Sequence, residues 1–170
     1  METLEAPVQT QVKKDKALKK MMIINSKATV DSVYAALILA NGARMEGIES
    51  EMFCTFFGLE MLQPKKMDRL HVATVGNPGL HIPTMIGGLP GMETLASAMM
   101  KREMDKLDIP TVSEFLDIYK ASGGKVFACK LAMEMFHLSK EDLWEDIDDV
   151  LTVGDFYNRA QEEGCQIIFV

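Results

Sequence analysis

The sequence predicts an α/β fold: a three-layer sandwich with a mainly parallel five-stranded sheet and helices on both faces. Three observations lead there. Five short β-rich runs are spread along the chain, helix-periodic stretches separate them, and the runs are apolar nearly throughout. Continuous apolar runs fit strands buried on both faces. Strands alternating with helices build parallel sheets through crossover connections.

The first run is Met21–Asn25, stopped by Asn25-Ser26. A helix over Thr29–Met45 follows, because Val30, Val33, Tyr34, Leu37, Ile38 and Ala40 fall at helical spacing. Asp31 stands in its first turn and Gly47 stops it. Glu51–Phe57 reads as the second strand and Leu70–Val75 as the third. Met92–Leu107 is helical and ends before Pro110. Thr111 and Glu114 form a capping-box pattern that starts a helix through Tyr119, closed by Gly123-Gly124. Lys125–Cys129 is the fourth strand, followed by short helical pieces at Ala132–Phe136 and Lys140–Trp144. Thr152–Glu163 is the last helix, Gly164 ends it, and Cys165–Val170 is the fifth strand.

A chain of 170 residues suits one domain with its own core. The expected division is a flexible basic tail over 1–20 and a single domain over 21–170. The tail carries Lys13, Lys14, Lys16, Lys19 and Lys20 against three acids, and the remainder is strongly acidic within a net charge of -7. That balance argues against nucleic acid as the main partner, which would need clustered cations. Three Cys is too few and too odd for a secreted disulfide scaffold. With no signal-peptide pattern, reduced thiols and a cytoplasmic location are expected. Leu70 to Met92 contains no charged Asp, Glu, Lys or Arg, but Pro78, Pro83, Pro90 and five glycines interrupt it. So broken a segment does not make a lipid-exposed helix. Its central part, 76–91, reads as a loop that covers a site or meets a partner.

The chemistry narrows to the thiols. His71, His81 and His137 are scattered, without metal-ligand spacing, and no phosphate-binding glycine motif follows a strand. The acidic run from Glu141 to Asp149 lacks the pattern of a calcium loop and reads as a solvated face. Met92, Met99 and Met100 lie near one helix face as core or subunit contact. Cys54 inside a strand and Cys165 at the start of one read as small buried hydrophobes. Cys129 ends the fourth strand where a helical piece begins. There the unpaired amides of a helix start and the neighbouring Lys130 favour a thiolate, the nucleophilic form in sulfur exchange. Spacing alone leaves a functional and a structural Cys129 equally open.

Several segments add to this reading. Met22 to Asp31, Phe53-Cys-Thr-Phe-Phe-Gly-Leu59, Gly76-Asn-Pro-Gly79 with Gly87 to Met92, and Val126-Phe-Ala-Cys-Lys-Leu-Ala-Met-Glu134 resemble, in order, the motifs of the DsrE/DsrF-like family. The resemblance implies a compact α/β fold, homo-oligomers, and sulfur trafficking beside TusA-like and rhodanese-like proteins. It implies that Cys129 carries sulfane sulfur and passes it to a partner thiol, with no cofactor. Lys130 would assist the thiol. Asn25, Ser26, Thr55, Phe57 and Gly58 at neighbouring strand ends, with Asn77 from the long loop, would shape the pocket. Two rival readings stand beside it: a non-catalytic oligomeric binding or assembly module, and small-molecule or nucleotide binding at the sheet edge.

Overall fold

The computed structural model describes residues 18–75, 77, 79, 81 and 83–170. The expected tail lies outside these residues up to position 17, but its last residue does not behave as tail. Lys20 opens the first strand, and its side chain is buried.

The sheet contains β1 (Lys20–Asn25), β2 (Glu49–Cys54), β3 (Lys125–Cys129), β4 (Asp149–Leu151) and β5 (Cys165–Phe169). All neighbours are parallel, in the order β4-β3-β2-β1-β5. Side chains alternate along a strand, and residues in register share a face. Lys20, Met22 and Ile24 therefore share one face with Glu51, Phe53, Phe127 and Cys129, while Asn25, Ser50 and Cys54 point to the other.

Helices cover both faces. α1 (Val30–Met45) packs beside α4 (Val112–Ala121) on the Ser50 face, where the Tyr119 hydroxyl donates to Ser50 Oγ at 2.9 Å. α6 (Val153–Ala160) covers the opposite face, with the Phe156 ring 5.1 Å from that of Phe53. The other helices are α2 (Thr84–Gly87), α3 (Met92–Asp105) and α5 (Lys130–Met135). The expected capping box at Thr111 and Glu114 starts α4, and a second one, Thr152 with Asp155, starts α6. One apolar core runs from α1 through the sheet to α6.

Two expected elements differ, and one strand was not expected. Leu70–Val75 is not a strand. It touches the regular structure through a single Thr29–His71 bridge, and the Val72 amide donates to Ser97 Oγ of α3 at 2.9 Å. Leu70 and Val72 are buried there by packing, so their apolar character reports burial rather than pairing. The missing strand is β4, three residues at the end of the acidic run, too short to show a period. β2 ends at Cys54 instead of Phe57. Phe56 takes a left-handed φ of 46°, and the chain turns into a 3-10 helix, Phe56–Leu62.

Ion pairing holds the amino half of the α6 face. Glu51, 1 % exposed, receives Arg159 Nε at 2.7 Å and Nη2 at 2.6 Å, and Lys20 Nζ, on a residue 2 % exposed, lies 3.2 Å away. Burial pushes the Glu51 carboxyl up, but the bonds and charges of Arg159 and Lys20 outweigh it and hold the group below the usual range. Arg159 also stacks 4.5 Å over the Phe127 ring.

Candidate functional site

Strand β3 carries Cys129 to the carboxyl edge of the sheet, where ligand sites of parallel α/β folds gather. The chain changes face here: α4, before β3, lies on one side, and α6, after β4, lies on the other. Cys129 is also the N-cap residue of α5, with extended backbone (φ -76°, ψ 118°) and no side-chain capping bond. The junction is the expected one, but the expected open rim is not. Cys129 is 4 % exposed and belongs to the core cluster, with Leu151 of β4 in register beside it. Strand alternation turns the side chain into the core on the sheet face that α6 covers, which composition could not reveal.

Among the residues expected from the neighbouring strands, Thr55 is brought beside the thiol's strand end by register. Cys54 pairs with Ala128, so one further step along both strands sets Thr55 beside Cys129. Ser26 stands on the same edge two strands away, roughly 10 Å at the usual strand spacing. Its hydroxyl donates to the Val170 carbonyl at 3.1 Å, which latches β1 to β5. Asn25 is not brought to the thiol, because it points to the opposite face. Its Nδ2 lies 2.9 Å from Met61 Sδ, and its Oδ1 is buried without a partner. Gly58 acts on the backbone. A Cβ there would fall 2.2 Å from the Asn25 carbonyl oxygen, so the 3-10 helix can press on the end of β1 only without a side chain.

Phe57 is exposed, and its ring lies 5.4 Å from that of Phe136, the residue that closes α5. Lys130 is exposed at the start of α5. Its charge adds to the Thr152 hydrogen bonds that hold the Asp155 carboxyl low at the start of α6. Asn77 is occupied in its own loop, where Oδ1 accepts the Gly79 amide at 3.0 Å. The rest of that loop lies partly outside the described residues. Cys54 is fully buried, and burial pushes its thiol up. Cys165 is half-buried at the amino end of β5, away from the Cys129 edge, and burial raises its thiol too.

One feature of the carboxyl edge escaped sequence reasoning. Residues 27–29 after β1, the 3-10 helix after β2 and residues 65–73 enclose a cleft of about 540 Å³. Its signal was the cationic spacing of Lys65, Lys66, Arg69 and His71 beside an aromatic pair. Among the described residues, no His, Cys, Asp and Glu side chains converge in a group of three or more that could hold a metal ion. No helix among them is long and apolar enough to cross a membrane.

A five-stranded parallel sheet with helices on both faces defines a class of small α/β proteins. The chain belongs to the DsrE/DsrF/DrsH-like family, which it matches over residues 17–168. It is 32% identical over 158 residues to the sulfur carrier protein DsrE2 of Allochromatium vinosum, covering 88% of this chain and 98% of that one. It is 26% identical over 157 residues to the uncharacterized protein YrkE of Bacillus subtilis, covering 89% and 97%. Among solved structures it resembles the protein of unknown function MTH1491 from Methanobacterium thermoautotrophicum (TM-score 0.54) and the ychN protein from E. coli (TM-score 0.55). Each is 13% identical, with 89% of this chain and 99% of that chain covered, a likeness of fold.

Proposed function

We propose that the chain is a sulfur carrier or sulfurtransferase that holds sulfane sulfur on Cys129. The observation that carries this reading is the placement of Cys129 at the β3–α5 junction on the carboxyl edge, in a chain of this family. The name of its Allochromatium relative supports it. The Cys129 thiolate attacks the outer sulfur of a donor persulfide. A bond from Cys129 to that sulfur forms as the donor S–S bond breaks, and the donor leaves as a thiolate. An acceptor thiolate then attacks the outer sulfur of the Cys129 persulfide and regenerates the thiol. There is no net oxidation, so no cofactor enters.

Burial of Cys129 sets a condition on this chemistry. α5, which Cys129 opens as its N-cap residue, has only six residues, and so short an element opens locally at less cost than global unfolding. Docking of a TusA-like or rhodanese-like protein at this edge would open it. Self-association of the chain belongs to the same reading, supported by Ile167 and Phe169, which stand exposed on edge strand β5. Three unpaired cysteines suit a reducing compartment such as the cytoplasm.

The test is intact-mass spectrometry after exposure to a sulfane donor. The expected result is a gain of one sulfur atom by the native chain and none by Cys129→Ser. Equal gain by both chains refutes the assignment. The same burial favours a second reading, a non-catalytic assembly module. A Cys129 that stays unreactive in the folded protein, alone and with carrier partners, decides for it.

A further inference from the structure

We infer that the cleft beside β1 is a binding site for a small organic molecule carrying an oxyanion head, such as a phosphate or thiosulfonate. The chain has a net charge of -7, yet four basic side chains, Lys27, Lys65, Lys66 and Arg69, line this one cleft. The cleft's two carboxylates leave the basic side chains in excess, four to two. Glu60 is bound to Lys66 at 2.6 Å, and Glu93 lies 3.8 Å from His71 Nδ1. Among the described residues, no carboxylate lies within ion-pair distance of Lys27, Lys65 or Arg69. Lys65 acts on Asp142 only from longer range, as a minor addition to the Ser139 bonds that lower that carboxyl. Cations in excess of the carboxylates around them repel one another, and an anion between them removes that repulsion.

The backbone adds to the field. The N-cap of α1, Thr29, also lines the cleft, and its hydroxyl donates to Ser32 Oγ at 3.2 Å rather than capping a backbone amide. The start of a 16-residue helix therefore borders the same space, with part of its field taken up by Asp31 in the first turn and by the bond from the Val30 amide to the His71 carbonyl.

Size and lining narrow the ligand. About 540 Å³ is far more than a bare oxyanion fills and lies within the range of small-molecule sites. Phe57, exposed at the cleft beside Phe136, supplies carbon surface for an organic body, over a floor formed by the buried Leu70 and Val72. Three free cations are too few for a polyanion backbone, which is held by many phosphate contacts. The site goes beyond sulfur carriage and stands whether or not Cys129 loads sulfur.

Isothermal titration at low salt tests it, in a full chain carrying Cys129→Ser so that no sulfur moves. The titrants are benzenethiosulfonate, adenosine monophosphate and inorganic phosphate. The expected result is saturable binding of at least one organic anion, roughly tenfold or more tighter than inorganic phosphate. Lys27→Ala with Arg69→Ala, both exposed positions, weakens it by roughly tenfold or more, while Lys106→Ala, on another surface, leaves it unchanged. Which organic anion binds separates a sulfur donor from a nucleotide. No saturable binding at millimolar concentration overturns the inference. So does binding that the double variant retains, or phosphate binding as tight as either organic anion.

Discussion

Replacing Glu51 by Gln removes a buried charge and leaves its partners in place. Arg159, about a third exposed, turns to solvent, but Lys20 is sealed at 2 % exposure with only the exposed Glu162 and the Arg159 carbonyl for partners. Breaking a buried ion pair from one side costs about 3–5 kcal/mol. A domain of this size shifts its melting temperature by about 2–4 °C per kcal/mol, so a fall of roughly 6–20 °C is expected at neutral pH. Removing both charges with Lys20→Met and Glu51→Leu restores much of the loss, because no unpaired ion is left in the core. The pH dependence has a definite sign. The Glu51 carboxyl is held below its usual range in the folded chain. Its contribution is complete above the ordinary glutamate range, about pH 4.3, and is lost as pH falls through the lower folded value. The native and Glu51→Gln melting curves therefore converge on acidification. Thermal melts by circular dichroism between neutral and acid pH measure this. A Glu51→Gln chain that melts within about 2 °C of the native one at neutral pH refutes the reasoning, since that corresponds to less than about 1 kcal/mol.

Three further outcomes are expected. Gly58→Ala forces a methyl against the Asn25 carbonyl and destabilises the chain by about 1–3 kcal/mol in urea titration. Thr152→Ala removes the capping box of α6, costs about 1 kcal/mol, and raises the alkylation rate of Cys129 by loosening the helix that covers its face of the sheet and follows Leu151, its partner in register. Iodoacetamide labelling with peptide mapping reads that rate. Cys54, fully buried with its thiol pushed up, stays unlabelled in the native, Gly58→Ala and Thr152→Ala chains until they unfold.

The sequence was most legible where local chemistry and tertiary burial agree. Lys125–Cys129 ran straight into a helix start, and the structure has the same strand and junction. The Thr111 box capped its helix because its side chain and backbone bonds are local. Leu70–Val75 misled because a buried loop and a buried strand have the same composition, and only hydrogen-bond partners tell them apart. β4 was hidden by its length and by the acids around it. The chain's homology was legible from its motifs, and the family match runs over residues 17–168. At the site, the sequence located the edge but not the facing of its side chains. Whether Asn25 and Cys129 share a face depends on strand register, and register is a property of the assembled sheet. The cationic cleft was missed because nothing local sets Lys65, Lys66 and Arg69 apart from any exposed basic turn, and only the fold brings Lys27 and the end of β1 beside them.

The strand order has a consequence for the birth of the molecule on the ribosome. β1 is made first and β5 last of the five, yet the two are neighbours, joined along Lys20–Ile24 and fastened by Ser26 to Val170. Throughout synthesis of the intervening segments, β1 presents an apolar, unpaired flank. Nascent chains are thus exposed to wrong pairing until the final strand emerges, and a chaperone would find its natural hold on that flank.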